Sequence, residues 1–376
     1  MKEVLKSMNN KSLILAFDTS CDDTSVAVLR GPRVLSSVVS SQVDIHAKWG
    51  GVVPDIARRE HEKNIPMVYG EALKKAKVSI EDIEYIACTY GPGLAIDLEV
   101  GLNFAKDLAI KHNKPFIPVN HMEGHLLSGL LENSKGKSFT KDVEKAKEET
   151  KTEMRGVVSE EFFPALGLLI SGKHTELIYV KEIGKYKKLG QTLDDAVGEA
   201  FDKVGRILNF GYPGGPTLTE FAKKGKAGDI VFPVPMKNSN DLNFSYSGLK
   251  TAALYKSKEL REDDVPEKEW IYDFCRGFLD AIIESLIIKL ELAIQEYGDV
   301  KSVFVGGGVF NSEEIIREIG RVVRLYDLKY VYPAKEYRGD NAAMVGLVGY
   351  NKSLRGEVLK EDTEIKEVDR EPRLSL

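Results

Sequence analysis

Apolar residues fall in short runs and periodic stretches that predict strands alternating with helices. Runs at Leu13–Phe17 and Ser25–Leu29 flank the turn-rich stretch Asp18-Thr19-Ser20-Cys21-Asp22-Asp23-Thr24 and read as two strands. Gly31-Pro32 turns the chain back toward a third at Val34–Val39. A helix is expected from Pro54 to Lys77, with Ile56, Ile65, Val68, Ala72 and Ala76 on one face and a kink at Pro66. Tyr85–Thr89 reads as a strand ending in Gly91-Pro92-Gly93. A helix over Asp97–His112 follows, then a strand at Phe116–Asn120, and His121 opens another helix.

The pattern then breaks. From Ser134 to Glu153 there is almost no apolar residue, and Lys alternates with Glu and Asp. Such a stretch cannot bury a face, so an exposed insertion is expected, a solvated helix or disordered chain. Beyond it, Ala165–Ile170 and Glu176–Lys181 pair around Ser171-Gly172-Lys173-His174-Thr175, and helices are expected at Asp194–Leu208, Trp270–Tyr297 and Asn341–Tyr350. Ser302–Val305 and Tyr330–Tyr332 read as strands. Each half opens on strand, polar turn, strand, followed by helices and further strands. This pattern suggests two duplicated α/β lobes facing a central cleft. The expected organisation is an N-terminal lobe at 12–133, the charged insertion at 134–160, a C-terminal lobe at 161–352 and a loose charged tail at 353–376.

Composition narrows the function classes. Lys+Arg number 53 and Asp+Glu 58, a net charge of −5, so nucleic-acid binding would need a local patch or a partner. The 3 cysteines, Cys21, Cys88 and Cys275, are scattered, which fits neither a disulfide framework nor a zinc finger and suits a reducing compartment. The first apolar run is too short for a signal sequence or a span, so a cytoplasmic protein without membrane attachment is expected.

The sharpest chemical signal is Asn120-His121-Met122-Glu123-Gly124-His125. On a helix His121 and His125 share one face, about 6 Å apart at Cβ, and two imidazoles so placed can share a metal. Two capping or solvent-facing histidines remain the plain alternative. The order is not H-E-x-x-H: Glu123 stands two residues past the first His, about 200° round a helix, which disfavours a zinc protease. Gly306-Gly307-Gly308 after a strand, with a helix from Asn311 or Ser312, is a place where backbone can approach a ligand, although a plain turn accounts for it equally. It is not a P-loop. Asp340 reads as the N-cap of Asn341–Tyr350, and Asp194 and Asp195 suit the first turn of a helix. Asp202 has no evident structural need. Lys181, Lys185, Lys187 and Lys188, and Lys223, Lys224 and Lys226, read as solvated charged faces.

Seven strings, in order, resemble the TsaD family, the tRNA adenosine threonylcarbamoyltransferases. They are Asp18-Thr19-Ser20-Cys21-Asp22, Asn120 to His125, Ser171 to Thr175, Asp194-Asp195 through Gly198 to Lys203, Tyr212-Pro213-Gly214-Gly215-Pro216, Phe244 to Thr251, and Asp340 to Met344. The resemblance implies an actin-like, sugar-kinase-like fold of two duplicated α/β lobes. It implies one divalent metal ion, Fe or Zn, held by His121, His125 and Asp340. It places Leu169, Ile170, Ser171, Gly172, Lys173, Asp202 and Gly215 along the nucleotide part of the substrate, with Asn311 or Ser312 at an adenine or ribose contact. The implied donor is threonylcarbamoyl-AMP, with ATP or ADP as further nucleotides. The implied acceptor is N6 of the adenosine at position 37, 3′ of the anticodon, in tRNAs reading codons that start with A. TsaB-like and TsaE-like proteins are the implied partners, and a TsaC-type enzyme supplies the donor. Asp18 is the candidate for the base or for a group supporting a ligand, with turn stabilisation as the plain alternative.

Some positions depart from the family's usual text. Lys173 replaces a glycine, and Ser312 stands where the family has Asn, with Asn311 one residue early. Asp97 and Glu99 bring acids into a small-residue helix start, and Arg338-Gly339 replaces Cys-Thr. Two other readings compete: a small-molecule kinase or carbamoyltransferase on the same fold, and a non-catalytic scaffold. An ordinary kinase does not need a paired-histidine metal site, so metal content separates that reading from the transferase.

Overall fold

The computed structural model describes residues 12–138, 140–142, 161–262 and 266–376. The leader before residue 12 and most of the insertion expected at 134–160 lie outside the described residues. The chain divides into two compact units. One is the described part of Met1–Val158 together with Val331–Leu376, and the other is Ser159–Tyr330.

The first unit holds β1 (Leu13–Asp18), β2 (Asp23–Arg30), β3 (Arg33–Ser41), β4 (Tyr85–Gly91) and β5 (Phe116–Asn120) in the order β3-β2-β1-β4-β5. β1 pairs antiparallel with β2 and parallel with β4. Every residue of β1 is buried, as a central strand covered on both faces must be, which is why its apolar run does not alternate. Its helices before the insertion are α1 (Val43–Ala47), α2 (Pro54–Ala76), α3 (Ala95–Lys111) and α4 (His121–Leu127). α2 continues through Pro66 as one 23-residue helix. α2 and α3 meet β1 in a ring cluster, with the Phe17 centroid 6.2 Å from Tyr69 and 5.7 Å from Phe104. Burying one such ring contributes about 1.5–3 kcal/mol.

The second unit repeats the scheme. β6 (Ala165–Ile170), β7 (Thr175–Glu182), β8 (Lys185–Gln191), β9 (Ser302–Gly306) and β10 (Lys329–Val331) lie in the order β10-β9-β6-β7-β8. Read from its far edge, this is the first sheet's order with each strand number raised by five. β6 likewise pairs antiparallel with β7 and parallel with β9. The duplication suggested by the sequence is therefore present strand for strand. Its helices are α5 (Val197–Ile207), α6 (Gly214–Ala222), α7 (Ser247–Glu262), α8 (Glu267–Glu296) and α9 (Glu313–Leu325).

Asp194 and Asp195 precede α5 rather than opening it. Asp194 accepts from the Ser245 hydroxyl at 2.5 Å, the Ser247 hydroxyl at 2.6 Å and the amides of Tyr246 and Ser247 at the start of α7. Asp195 pairs with Lys203 and, at 2.8 Å, Lys250. The two acids tie α5 and α7 together, a long-range task that local helix rules do not reveal. Much of the basic clusters is engaged locally: Lys188 with Glu176, Lys223 with Glu220, and Lys224 over the rings of Phe221 and Tyr272.

The chain then returns to the first unit. α10 (Ala342–Arg355) packs on β1, β2, β4 and β5, and α11 (Asp362–Glu367) on α3. Expected limits at 352 and a loose tail do not describe this arrangement. Ala342 to Tyr350 are all buried, so α10 must cover a sheet. The tail is held mainly by backbone groups: the Leu359 amide donates to Phe116 O at 2.9 Å and the Glu371 amide to Tyr90 O at 2.7 Å. Composition does not register that kind of bond. Among the described residues no helix is long and apolar enough to cross a membrane.

Candidate metal centre

β5 runs directly into α4, and Asn120 caps that helix by accepting from the amides of Met122 at 2.8 Å and Glu123 at 3.3 Å. One turn apart, His121 and His125 project from the same face. Their rings are nearly perpendicular with centroids 4.6 Å apart. Gly124 lets α4 approach α10, where a methyl group would meet Met344 Cγ at 3.0 Å.

α10 brings the third group. Its N-cap is Asn341, not Asp340 as expected. The Asn341 side chain accepts from the Met344 amide at 3.1 Å and donates to Gly339 O at 2.8 Å, while Ser25 Oγ accepts from the Ala342 amide at 2.8 Å. The cap is thus filled by the neighbour, and the Asp340 carboxylate is turned to the histidines. Asp340 Oδ1 lies 3.1 Å from His125 Nε2 and 3.5 Å from His121 Nε2. One ligand atom from each residue falls within a 4.8 Å sphere of mutual distances.

The residues fit a metal ion by chemistry and by spacing. Two imidazole nitrogens and one carboxylate oxygen are a donor set used for zinc and for non-haem iron. Bonds of about 2.1 Å from one ion would place neighbouring ligand atoms about 3.0–3.4 Å apart, close to the two edges seen here. His121 is buried, His125 fully so, while 27% of the Asp340 side chain is exposed, leaving the carboxylate side accessible.

His121 is oriented from behind. Its Nδ1 lies 3.1 Å from Ser20 Oγ and 3.5 Å from Asp18 Oδ1. Burial alone would lower the His121 pKa. The carboxylates of Asp18 and Asp340 outweigh it and push it up to about 10. For Asp340, burial raises the pKa, but His121 and His125 hold the carboxyl well below the usual carboxylate range. The pocket stabilises positive charge between two carboxylates, as a cation site requires. Asp18 stands behind a histidine, the place of a supporting group. Ser20, Ser25 and Asn341 escaped the sequence reading. Ser20 and Asn341 lie within strings already singled out, but only the fold shows what they touch. Glu123 is buried outside the triad, in keeping with the argument against a protease base.

Another histidine of the first unit, His61, is fully buried. His61 Nδ1 lies 2.7 Å from Thr24 Oγ1 and its Nε2 2.7 Å from Cys21 O, and burial lowers its pKa below 6.5. A group depressed in the folded state gives stability that is present above its unfolded pKa and lost as pH falls through the folded value. His61→Gln is therefore expected to flatten the acid limb of unfolding stability below about pH 6.5. Urea titrations of both chains at pH 7.5 and 5.5 check this, and parallel pH slopes would refute it.

In the second unit the expected nucleotide residues divide into two groups. Leu169 and Ile170 are fully buried core side chains of β6, so only their backbone could serve a ligand. Ser171 to His174 form the β6–β7 turn, closed by the Ser171 amide donating to His174 O at 2.8 Å. Gly172 and Lys173 are exposed there. Gly307 has φ 104°, a backbone state that favours glycine, and a methyl group on it would overlap Ile170 O. Asp202 now has a structural task. Its Oδ1 accepts from the Gly214 amide at 2.9 Å at the start of α6, and burial raises its pKa despite the Gly214 and Gly215 amides. Ser312 caps α9, accepting from the Ile315 amide, while Asn311 is exposed at the end of the preceding turn. A serine suits that cap as well as asparagine does.

Comparisons with known proteins bear on the family and the fold. The family description "TsaD: tRNA N6-adenosine threonylcarbamoyltransferase" matches residues 33–139 and 151–347. A tRNA N6-adenosine threonylcarbamoyltransferase of Thermosipho africanus is 39% identical over 92% of this chain and 95% of its own. Another, of Kosmotoga olearia, is 41% identical over 93% and 96%. Among solved structures, T. kodakarensis HypF covers 92% of this chain and 48% of its own at a TM-score of 0.57 and 16% identity, a likeness of fold alone.

Proposed function

This chain belongs to the tRNA N6-adenosine threonylcarbamoyltransferase family, and on that premise we propose that it moves a threonylcarbamoyl group from threonylcarbamoyl-AMP to N6 of adenosine 37 in tRNAs reading codons that start with A. The observation that carries the metal-assisted form is the convergence of His121 Nε2 and His125 Nε2 on Asp340 Oδ1. These three residues would hold one ion, Zn²⁺ or Fe. When bound, such an ion supplies Lewis acidity toward the donor's carbonyl or phosphate oxygens.

The reaction is an acyl transfer to nitrogen. The N6 amine attacks the carbamoyl carbon, the carbon–oxygen bond to the adenylate breaks, AMP leaves with the electron pair, and the amine loses one proton. An adenine amine is a poor nucleophile, so positioning contributes heavily. Ser20 and Asp18 would fix the ring plane of His121 and keep Nδ1 protonated, so that Nε2 is the ligand atom. That reading makes Asp18 a positioning residue rather than the base. In the second unit, the backbone of Leu169–Gly172, Lys173, Asp202 through the α6 amides, Gly215, and Asn311 or Ser312 are the groups we assign to the nucleotide part of a ligand, ATP or ADP included. TsaB-like and TsaE-like proteins as partners, donor supply by a TsaC-type enzyme and cytoplasmic location complete the proposal.

The test is transfer of labelled threonine from pre-formed threonylcarbamoyl-AMP to such a tRNA, alone and with partner proteins, with and without chelator. Transfer that stops with chelator and returns with Zn²⁺ or Fe²⁺ is the expected result. Absence of transfer with every partner combination, while metal stays bound, would move the assignment to a kinase or carbamoyltransferase of another substrate.

A further inference from the structure

We propose that the segment Glu371–Ser375 is a strap that holds the metal helix in register, making the affinity of the centre depend on residues far away in sequence. The argument rests on the metal-centre reading above. β4 and β5 end side by side, with Gly91 opposite Asn120 in the ladder, and His121 is the next residue of the chain. The strap crosses both strand ends. The Glu371 amide donates to Tyr90 O at 2.7 Å, and Pro372 O accepts from the Gly93 amide at 3.3 Å. Ser375 O accepts from the Asn120 side-chain amide at 3.2 Å.

Asn120 is therefore used at both ends. Its oxygen caps α4 through the Met122 and Glu123 amides, and its nitrogen is tied to the strap. The carboxamide plane, and with it the first turn that carries His121, is set by a group 255 residues away. Anchors upstream keep the strap in place. Lys106 Nζ donates to Lys366 O at 2.9 Å and Val368 O at 2.7 Å, Arg370 lies 3.4 Å from Glu99, and Ile365 is buried. The fit over β4 is close: a methyl group on Gly91 would overlap Glu371 O and meet Leu374 Cβ at 3.0 Å. Glu99, an unusual acid in its helix, thereby has a partner among the anchors just upstream of the strap.

Supporting groups around metal ligands commonly set affinity by about 10–100-fold. The experiment titrates Zn²⁺ into the full chain against a chromogenic chelator, in wild type, a chain ending at Arg370, Gly91→Ala, Asn120→Ser and His121→Ala. Asn120→Ser keeps a cap acceptor and loses only the donor to Ser375. The chain ending at Arg370, Gly91→Ala and Asn120→Ser are expected to weaken Zn²⁺ binding by about tenfold or more. The thermal midpoint of metal-free Asn120→Ser should stay within a few degrees of wild type. Wild-type Zn²⁺ affinity in the truncated chain or in Asn120→Ser would overturn the strap. Wild-type affinity in His121→Ala would overturn the metal centre itself, a separate failure.

Discussion

Asp340→Asn is expected to cost this protein its metal and its transfer activity together. The substitution keeps the side chain's shape and one oxygen but removes the charge. Asp340 is the only carboxylate of the triad, and its Oδ1 is the atom on which both Nε2 atoms converge. Asp340 is also a counter-charge to His121, so its loss lowers the His121 pKa and removes one of the two carboxylates that favour a cation. Removing one well-placed electrostatic group from an acyl-transfer site costs on the order of 10²–10³ in rate, and loss of the ion adds to that. Transfer by Asp340→Asn should therefore fall by at least about 10³-fold, with metal content below one tenth of wild type by elemental analysis. The Asn341 cap is untouched, so the thermal midpoint should change little. A variant that keeps stoichiometric metal and transfers at the wild-type rate would remove Asp340 from the ligand set.

The second large effect separates two adjacent glycines. A methyl group on Gly214 would lie 2.9 Å from Gly205 Cα, 2.9 Å from Phe201 O and 3.2 Å from Asp202 Cα, all backbone atoms of α5. One on Gly215 would lie 3.5 Å from Phe201 Cβ, an ordinary contact. Gly214→Ala must therefore push α6 off α5 and lengthen the bond from the Gly214 amide to Asp202. Overpacking of this kind costs about 1–3 kcal/mol, and weakening the Gly214–Asp202 hydrogen bond adds about 1 kcal/mol. Gly215→Ala should unfold within about 0.5 kcal/mol of wild type. If Gly215 also gives its backbone to a nucleotide, that variant should raise the KM for threonylcarbamoyl-AMP with the fold intact. Urea unfolding of both variants decides the stability contrast, and equal destabilisation would show that α5 and α6 are not packed as described.

These contrasts show what each level of description could reach. The paired histidines were visible in the sequence because helical spacing needs no tertiary knowledge: i and i+4 share a face wherever the helix lies. The strands were visible because buried strands must be apolar, and the duplication because the same order of strand, turn and strand occurs twice. The family strings named Asp340 as a ligand, whereas local rules read it as a cap. That conflict was settled by Asn341, which takes the cap and turns Asp340 inward. Asp202 lacked a reason until the start of α6 was placed against it.

By itself, then, the sequence determined the α/β class, the two repeated sheets, the family and the pair of imidazoles, all of which depend on period, order and residue type. The tertiary structure alone decided that the chain returns to its first unit at Val331, that Ser20 and Asp18 stand behind His121, and that the charged tail crosses Gly91 and Asn120. Those features depend on contacts between residues far apart in the chain. Backbone amides and carbonyls make many of them, and every residue type carries these groups alike, so no pattern of side chains announces where they will pair.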